Sequence, residues 1–443
     1  MQNALHPASA LLKAAPSADV SALDAQATGV PSAFLSDLIL RHFARLGELK
    51  LFEVVQHLGL RVPEVDALLS HMRSLQWLEV PRRGDFEGDI SFALTDAGQR
   101  HARLAYEKCQ YTGPAPVTLP EYATQVHQQS HAQAPVRAAR LTQALADLVL
   151  DPALMPALGS AMNSGKAIYL YGHSGTGKTY LAEHLVKTLE GHVWVPHAVY
   201  VDGEVIQVFD PLVHRRVALA AVPERGLERD LVTDGRWVRT ERPVVMAGGE
   251  LTLDMLDLEY DPHTRLHIAP PQMKANNGIF VVDDLGRQQV SPRELMNRWI
   301  VPLDRHVDFL ALNTGAKLTV PFDVRVIFSS NLAPEALIDP AFARRLGYKI
   351  HIQPLQAEAY RSVVVQACAR TGVSAQTQDI DYLIHTLHPR HDQPYLPCVP
   401  FDVISKIADR ARYLQESAVA TPQLLDWAWH TYFGAHAPNH SGE

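Results

Sequence analysis

The sequence predicts an α/β fold built on a parallel β-sheet, with a mainly helical unit before it and another after it in the chain. The first observation is an apolar β-like run at residues 167–171, followed by a glycine-rich loop and then a helical pattern. The second is a pair of apolar runs, 279–282 and 324–330, that end in polar side chains. Such runs are typical of strands buried on both faces, as in parallel sheets. Polar residues are therefore expected at the carboxyl edge of the sheet.

Length and composition narrow the class of protein. A chain of 443 residues is too long for one ordinary core, so two or three domains are expected. The net charge of −8 opposes sequence-independent nucleic-acid binding, which needs a cationic surface. Three widely spaced cysteines form neither a disulfide framework nor a zinc-ligand set, as is typical of a reducing compartment. No apolar run approaches about 18 residues and no secretory signal is apparent, so we expect a cytoplasmic protein without membrane insertion.

The N-terminal part is predicted to contain a flexible tail and a small helical unit. Residues 1–30 are rich in Ala, Ser and Pro and lack helical periodicity, so a tail is expected there. Residues 31–111 show three helical patterns, two short β-like runs and a closing helix. This order, with the step from Leu94 to Gly98 after the second β-like run, resembles a winged helix-turn-helix domain.

The winged-helix resemblance raises the question of DNA binding, because the third helix of such domains commonly enters the major groove. Here that helix carries Glu64 and Asp66 near its start and Arg73 near its end, and the wing has one basic pair, Arg82 and Arg83. Because these charges nearly cancel, the sequence favours a contact with protein. DNA binding is the alternative.

The remaining domain boundaries follow from composition and period. Residues 112–137 are predicted to be a linker, since they begin with Gly-Pro-Ala-Pro and continue rich in Gln and His; a helical brace at 119–129 is the alternative. The α/β core is placed at 138–354, with an insertion at about 192–270. A mainly helical unit is predicted at 355–443.

The glycine-rich loop has the spacing of a phosphate-binding loop. Its glycines let backbone N–H groups turn toward a phosphate, and the following helix adds the positive end of its dipole. Lys178 would neutralise charge on the β- and γ-phosphates, while the Thr179 hydroxyl would ligate Mg²⁺. ATP and Mg²⁺ are therefore the expected cofactors. The residues predicted to hold the nucleotide are Gly172, His173, Ser174, Gly175, Thr176, Gly177, Lys178 and Thr179.

Three further groups are predicted to take part in catalysis. Asp283 would hold Mg²⁺ directly or through water, and Asp284 would orient the attacking water. Asn331 follows the run 324–330 and is placed to hydrogen-bond the γ-phosphate or that water. Arg344 and Arg345 follow a short helical segment, and a guanidinium binds phosphate oxygens through a planar fork that stays charged.

These four elements, in this order, resemble the AAA+ ATPase superfamily over about residues 141–432. The resemblance implies a Walker A motif at 172–179, Walker B at Asp283 and Asp284, and sensor 1 at Asn331. It also implies an arginine finger at Arg344 or Arg345 that reaches a neighbouring subunit. Many relatives have Glu at the position of Asp284, so the shorter Asp is expected to slow turnover.

Further motifs narrow the resemblance to one branch. Residues 275–278 before Walker B and a hairpin-like stretch at 306–321 resemble the branch with a hairpin before sensor 1, which holds MoxR-like ATPases. Within it, 283–287 and 297–303 resemble a bacterial set called predicted ATPases with chaperone activity.

The resemblance implies a homo-oligomeric ring, most simply a hexamer, that remodels an unidentified protein client. A DNA-binding ATP-dependent regulator and a slowly hydrolysing ATP switch are the alternatives. The C-terminal unit resembles the AAA+ lid. Phe401 stands where such lids commonly carry a sensor 2 arginine, and the available substitutes are Arg390, Lys406 and Arg410.

The insertion is predicted to be mostly β. Residues 192–209 read as strands around a turn at 202–203, and 251–258 reads as a helix. A β-hairpin packed on the core is the favoured interpretation at residues 245–248, and a substrate-gripping pore loop there is the alternative.

Overall fold

The computed structural model describes residues 28–83, 90–130, 135–218, 234–337 and 340–434. Most of the predicted tail, residues 1–27, lies outside the described residues, as do the side chains of the basic pair Arg82 and Arg83. The predicted α/β fold with a parallel sheet is confirmed.

In the N-terminal unit, helices surround a three-stranded antiparallel sheet, in which the third strand lies between the first two. Its last helix begins where the Thr95 side chain accepts a hydrogen bond from the backbone N–H of Gly98, at 3.0 Å. The elements are α1 (Ser32–Leu46), β1 (Leu49–Lys50), α2 (Leu51–Leu58), α3 (Val62–Ser74), β2 (Leu78–Arg83), β3 (Ile90–Leu94) and α4 (Asp96–Lys108).

The apolar core of the N-terminal unit continues into the insertion. Ala198, Val205 and Leu266 belong to the same buried cluster as the apolar faces of α1, α2 and α3. The rings of Phe34 and Tyr200 lie 4.8 Å apart. The unit is therefore packed on the middle of the chain, because separating the two would expose this shared apolar surface.

Residues 112–137 were expected to be a linker, and the described part of the stretch is instead ordered structure. It contains β4 (Val117–Thr118) and α5 (Leu119–Gln128). The Thr118 side chain caps the helix, and Tyr122 and Val126 pack into a core shared with the insertion. The helical brace that the sequence left open is thus the outcome, because these apolar side chains recur at helical spacing on one face.

The middle of the chain alternates strands and helices. Short 3₁₀ turns lie at Pro152–Leu154, Val186–Thr188 and Asp254–Leu256. The longer elements are α6 (Ala138–Ala144), α7 (Met155–Asn163), β5 (Ala167–Tyr171), α8 (Lys178–Leu185), β6 (His192–Pro196), β7 (Ala198–Val201), β8 (Glu204–Gln207), β9 (Trp237–Glu241), β10 (Val244–Ala247), β11 (Glu259–Asp261), β12 (Leu266–Ile268), α9 (Pro271–Lys274), β13 (Ile279–Val282), α10 (Pro292–Arg305), β14 (Val307–Ala311), β15 (Lys317–Pro321), β16 (Arg325–Ser330), α11 (Pro334–Leu337), α12 (Pro340–Ala343) and β17 (Leu346–His351).

The central sheet has five parallel strands in the order β10–β13–β16–β5–β17. All residues of β13 and β16 are buried, which confirms the buried strands predicted from the apolar residues of these two segments. Because the strands are parallel, all their carboxyl ends meet at one edge of the sheet and their amino ends at the other. We call these the carboxyl edge and the amino edge.

Four strands of the insertion form a second sheet together with β4 from the preceding segment, in the order β11–β12–β8–β7–β4, and β6 and β9 form a separate antiparallel pair. The strands predicted around the turn at 202–203 are confirmed as β7 and β8. The hairpin predicted at 306–321 is also present, as the antiparallel pair β14 and β15.

Of two further predictions for the insertion, the packed β structure at 245–248 holds in part and the helix at 251–258 is wrong. Residues 245–247 belong to β10 and pair in parallel with β13 at the margin of the central sheet, so they form neither a free loop nor a hairpin. Residues 251–258 do not form a helix beyond the 3₁₀ turn. Leu251 and Leu256 are both buried while Leu253 and Met255 are exposed, so packing against the core overrides the helical pattern.

The C-terminal unit is helical and has its own core around Tyr360, Leu383 and Trp429. A π-helical turn at Leu383–Leu387 joins two of its helices. The other elements are α13 (Ala357–Thr371), β18 (Ser374–Ala375), α14 (Thr377–Tyr382), α15 (His388–Arg390), α16 (Cys398–Leu414), β19 (Val419–Ala420) and α17 (Pro422–Phe433).

Among the described helices, we find none with both the length and the apolar character needed to cross a membrane.

Candidate functional site

The glycine-rich loop joins the carboxyl end of β5 to the start of α8. Gly172 and Gly175 have φ values of 146° and 83°. A Cβ on Gly172 would lie 2.1 Å from the carbonyl oxygen of Ile352, and one on Gly175 would lie 2.5 Å from Sγ of Cys398. Both positions therefore require glycine, for backbone conformation and for space. The loop forms a narrow cradle in front of the N-terminus of α8, as a phosphate requires.

Lys178 lies inside this cradle rather than in solvent. Its Nζ donates to the carbonyl oxygens of Gly172 and His173 at 3.0 and 2.9 Å, and to Oδ1 of Asn331 at 2.9 Å. Burial lowers the pKa of Lys178, while the carboxylates of Asp284 and Asp283 oppose that shift. A desolvated ammonium held by neutral oxygens is well placed to meet an anion.

Thr179 and Asp283 form a pair of hard oxygen donors. The Thr179 hydroxyl lies 2.9 Å from both carboxylate oxygens of Asp283. Hydroxyl and carboxylate oxygens are ligands that Mg²⁺ prefers, and Mg²⁺ keeps several waters and substrate oxygens in its octahedral shell. The residues present therefore fit a magnesium ion that is shared with a phosphate.

Asp284 and Asn331 lie beside that pair. Asn331 follows β16, and its Nδ2 donates to Oδ1 of Asp284 at 3.3 Å while its Oδ1 accepts from Lys178. The structure thus brings together five predicted residues from the carboxyl ends of three adjacent strands: Lys178, Thr179, Asp283, Asp284 and Asn331.

The other residues of the loop differ in exposure. His173 and Ser174 are exposed at the tip, whereas Thr176 is buried and its hydroxyl donates to the carbonyl oxygen of His173 at 2.9 Å. Thr176 therefore shapes the loop, because its hydroxyl is already engaged by the backbone.

Arg344 and Arg345 do not belong to this cluster. They precede β17, which runs parallel to β5, so they lie at the amino edge, opposite the cradle. Nε of Arg345 lies 2.8 Å from Oδ2 of Asp304 on α10, whereas the Arg344 side chain is exposed. Neither arginine can serve the site of its own chain, because a whole strand separates them from it.

A cavity of about 480 Å³ opens between the cradle and the C-terminal unit. It has one wall from the core and one from helices α13 and α16. Its lining includes Leu148, Leu150, Tyr180, Val363, Arg370 and Phe401. Apolar walls beside a phosphate cradle fit a flat aromatic ring such as a nucleobase.

Arg370 is the cation of this cavity, and sequence reasoning missed it. Its guanidinium lies 5.0 Å from the ring centroid of Phe401. The three expected substitutes contact other groups: Arg390 contacts Asp426, Lys406 lies over Tyr432 and Arg410 lies over Trp427. No local spacing could have identified Arg370, because it lies on a different helix from Phe401.

Comparisons with known proteins give a partial sequence match and distant fold similarities. Residues 356–431 match a family described as a domain of unknown function, DUF8689. No curated protein matches the chain significantly in sequence.

Two of the similar solved structures show how low the identity and the structural similarity are. The crystal structure of NtrX from Brucella abortus in complex with ADP is 16% identical, with 78% of this chain and 68% of that chain covered and a TM-score of 0.40. The RuvB Holliday junction branch migration motor of Thermotoga maritima is 11% identical, with 71% of each chain covered and a TM-score of 0.35. Functional inference therefore depends on the residues of the site.

Proposed function

We propose that this protein is an AAA+ ATPase that binds and hydrolyses ATP with Mg²⁺ and uses turnover to remodel a protein partner. The observation that carries the proposal is the convergence of Lys178, Thr179, Asp283, Asp284 and Asn331 at the carboxyl edge of three neighbouring parallel strands. Each of these groups is the type that phosphoryl transfer needs.

The residues divide the work in the following way. The cradle and Lys178 bind the phosphates and offset their charge, and Thr179 with Asp283 holds the magnesium ion. Asp284 accepts a hydrogen bond from the attacking water and Asn331 donates one to it, so that the water oxygen faces the terminal phosphorus. Bound Mg²⁺ supplies neutralisation of the charge that develops on the phosphate oxygens.

The C-terminal unit acts as a lid in this proposal. The backbone N–H of Cys398, at the start of α16, lies 3.4 Å from the carbonyl oxygen of Gly175 in the cradle. Arg370 contributes a positive charge from the same unit to the cavity. A nucleotide in the cavity would thus touch both the core and the lid, so loss of the nucleotide would loosen one from the other.

The arginine finger is assigned to Arg344 of a neighbouring subunit, which supports a ring as the working assembly. Arg344 is exposed at the amino edge, while Arg345 is engaged by Asp304 of its own chain. A guanidinium added across a subunit boundary completes charge stabilisation only in the oligomer. A hexamer is the ring size that the AAA+ resemblance implies.

The N-terminal unit is assigned to a winged-helix domain that contacts protein. It shares a buried apolar cluster with the insertion, so motion of the core is passed to it directly. The exposed side chains of its third helix include Val62, Asp66 and Ser70, with Arg73 near the end. This face lacks the cationic character that the phosphate backbone requires.

The first experiment tests nucleotide binding. Lys178→Ala should weaken binding of a fluorescent ATP analogue in Mg²⁺ by about a hundredfold or more, since the charge-assisted contacts to two phosphates are lost. Lys187→Ala is the matched control, because Lys187 is exposed beyond the end of α8. Equal affinities for the two variants, or no affinity in the unmodified protein, would remove the proposed function.

The second experiment tests the shared site. Lys178→Ala and Arg344→Ala should each hydrolyse ATP poorly alone. When they are mixed, a site with an intact cradle from one subunit and an intact arginine from the other should form. Recovery of hydrolysis on mixing, together with a rate per subunit that rises with protein concentration, is expected. A stable monomer with full activity would contradict the ring.

A further inference from the structure

The turn that follows β13 has a backbone conformation that needs support. Asp284 has a φ of 48°, in the left-handed region that non-glycine residues avoid at about 1 kcal/mol or more. In this conformation Oδ1 of Asp284 accepts a hydrogen bond from Nδ2 of Asn331 at 3.3 Å. The position of the carboxylate therefore depends on the backbone of the turn together with this contact.

One side chain, Gln288, closes this turn from both sides. Its Nε2 donates to the carbonyl oxygens of Asp283 and Asp284 at 2.7 and 3.3 Å. Its Oε1 accepts from the backbone N–H of Gly286 at 2.9 Å. The opposite amide orientation would set an oxygen against two carbonyl oxygens, so the orientation follows from the hydrogen bonds themselves.

The same amide ties the turn to the strand beside it. Nε2 of Gln288 also lies 3.4 Å from the carbonyl oxygen of Gly248, just after β10. The backbone N–H of Asp283 donates to Ala247 at 2.8 Å, and that of Leu285 donates to Ser329 at 2.7 Å. The turn is therefore fastened to both neighbouring strands by its backbone and is braced across its open side by Gln288.

We infer that Gln288 is a positioning residue for hydrolysis: it fixes the left-handed turn and thereby the direction of the Asp284 carboxylate. The inference rests on the proposed function and deepens it. Among the described residues, Gln288 hydrogen-bonds only to backbone atoms, those of Asp283, Asp284 and Gly286 in the turn and Gly248 beside it, so its effect on the reaction passes through the backbone of the turn that carries Asp284. Its loss should affect the chemical step and leave phosphate binding intact, because Lys178 and Thr179 lie on a different loop.

The test compares two substitutions at Gln288 with a matched control. Gln288→Met keeps the length of the side chain and removes every hydrogen bond. Gln288→Glu keeps an acceptor for Gly286 but sets a carboxylate against two carbonyl oxygens. Gln378→Met is the control, because Gln378 is exposed in the C-terminal unit and bonds only to the side chain of Gln376 among the described contacts.

Single-turnover and steady-state hydrolysis are measured together with the affinity for fluorescent ADP and the thermal midpoint. Gln288→Met should lower kcat by about tenfold to a hundredfold with KM nearly unchanged, the effect expected of a misplaced reacting group. Gln288→Glu should lower kcat by a similar factor. In an Asp284→Asn background, Gln288→Met should produce no further loss, because both changes act on one carboxylate.

The outcomes separate the two claims. If the unmodified protein binds no adenine nucleotide, the proposed function fails. If it turns over ATP and Gln288→Met matches Gln378→Met in kcat, the positioning role fails. A parallel fall in ADP affinity and thermal midpoint, or a full further loss in the Asp284→Asn background, would also overturn the inference, since either result assigns Gln288 to general stability.

Discussion

At the carboxyl edge of the central sheet, charged groups lie close together beside the glycine-rich loop, whereas at the amino edge buried amide groups are bonded to backbone and side-chain partners. Lys178, Asp283 and Asp284 make up the first set together with neutral oxygens of the cradle. The second set is centred on Asn276 and Asn277, which are both buried. The two edges belong to the same strands, so the strands alone do not explain the difference.

Asn277 is the centre of a hydrogen-bond network at the amino edge. The Asn277 side chain donates to the carbonyl oxygen of Val126 at 2.9 Å and to Asp323 at 2.6 Å, and accepts from Gln129 at 2.9 Å. Arg242 donates to the carbonyl oxygen of Asn277 at 2.8 Å. These partners lie within the chain, so this network needs no ligand. The comparison teaches that the partners of polar groups, rather than their number, separate a structural edge from one with groups that could bind a ligand.

The largest expected effect concerns the carboxyl edge. Asp284→Asn keeps the shape of the side chain but removes its ability to accept a proton, so hydrolysis should fall by about 10²–10⁴-fold. Nucleotide affinity should remain within a few-fold, because Lys178 and Thr179 are untouched. Rapid-quench single-turnover assays measure the first quantity and fluorescent-nucleotide titration the second. Unchanged hydrolysis would show that this edge uses another group as its base.

The opposite pattern is expected at the amino edge. Asn277→Ala should lower the free energy of unfolding by about 3 kcal/mol, since it leaves buried partners unpaired and places Ala at a φ of 61°. Asn277→Gly removes the same hydrogen bonds without the backbone strain, so it should lose less. Denaturant unfolding measures both. If Asn277→Ala lowered kcat without lowering the free energy of unfolding, the two edges would not differ in the way described.

Arg370 tests whether the reactive edge extends into the C-terminal unit. Arg370→Ala should weaken nucleotide affinity by about tenfold, because it removes a cation that is stacked on Phe401 in the cavity. Arg390→Ala is the comparison, since Arg390 contacts Asp426 instead. Isothermal titration with Mg-ATP measures the affinity of both variants. Equal affinities would show that Arg370 of the C-terminal unit does not contribute to nucleotide binding.

The smallest expected effect comes from His42, which is buried in the N-terminal unit. Burial lowers the pKa of His42 from its usual value to about 4, and one ring nitrogen contacts the carbonyl oxygen of Gly113 at 3.2 Å. The unfolded chain takes up a proton near pH 6.5 and the folded chain does not, so stability falls as pH drops through that range toward 4.

The size of this effect between pH 7 and pH 6 is less than about 1 kcal/mol. Thermal unfolding at the two values measures it, and His42→Gln should reduce the difference. If the difference between pH 7 and pH 6 were the same in His42→Gln as in the unmodified protein, the assignment of this effect to His42 would be wrong.

The sequence predicted the residues of the candidate site better than it predicted the residues that contact them. The cradle and the acidic strand end could be found because each is a continuous segment, in which apolar residues fill a buried strand and the next residues emerge at its end. Arg370 and Gln288 could not be found in this way. Their roles depend on which backbone and ring atoms lie beside them, and those atoms come from other segments.

Local patterns also failed where packing decided the outcome. Residues 251–258 carry a helical pattern, yet the demands of burying Leu251 and Leu256 leave only a 3₁₀ turn. The pattern at 245–248 is compatible with a loop or a strand, and pairing with β13 selected the strand. In both cases the outcome depended on a neighbouring strand or core, which the sequence of the segment alone does not specify.

The sequence by itself determined the presence of a glycine-rich loop ahead of a helix, an acidic strand end and a parallel sheet, because spacing along the chain encodes strand, loop and helix directly. Only the tertiary structure decided that β10 borders β13, that the N-terminal unit is packed on the insertion, and that Arg370 lines the cavity. These are contacts between residues far apart in the chain, and the complementary shapes of distant surfaces select them.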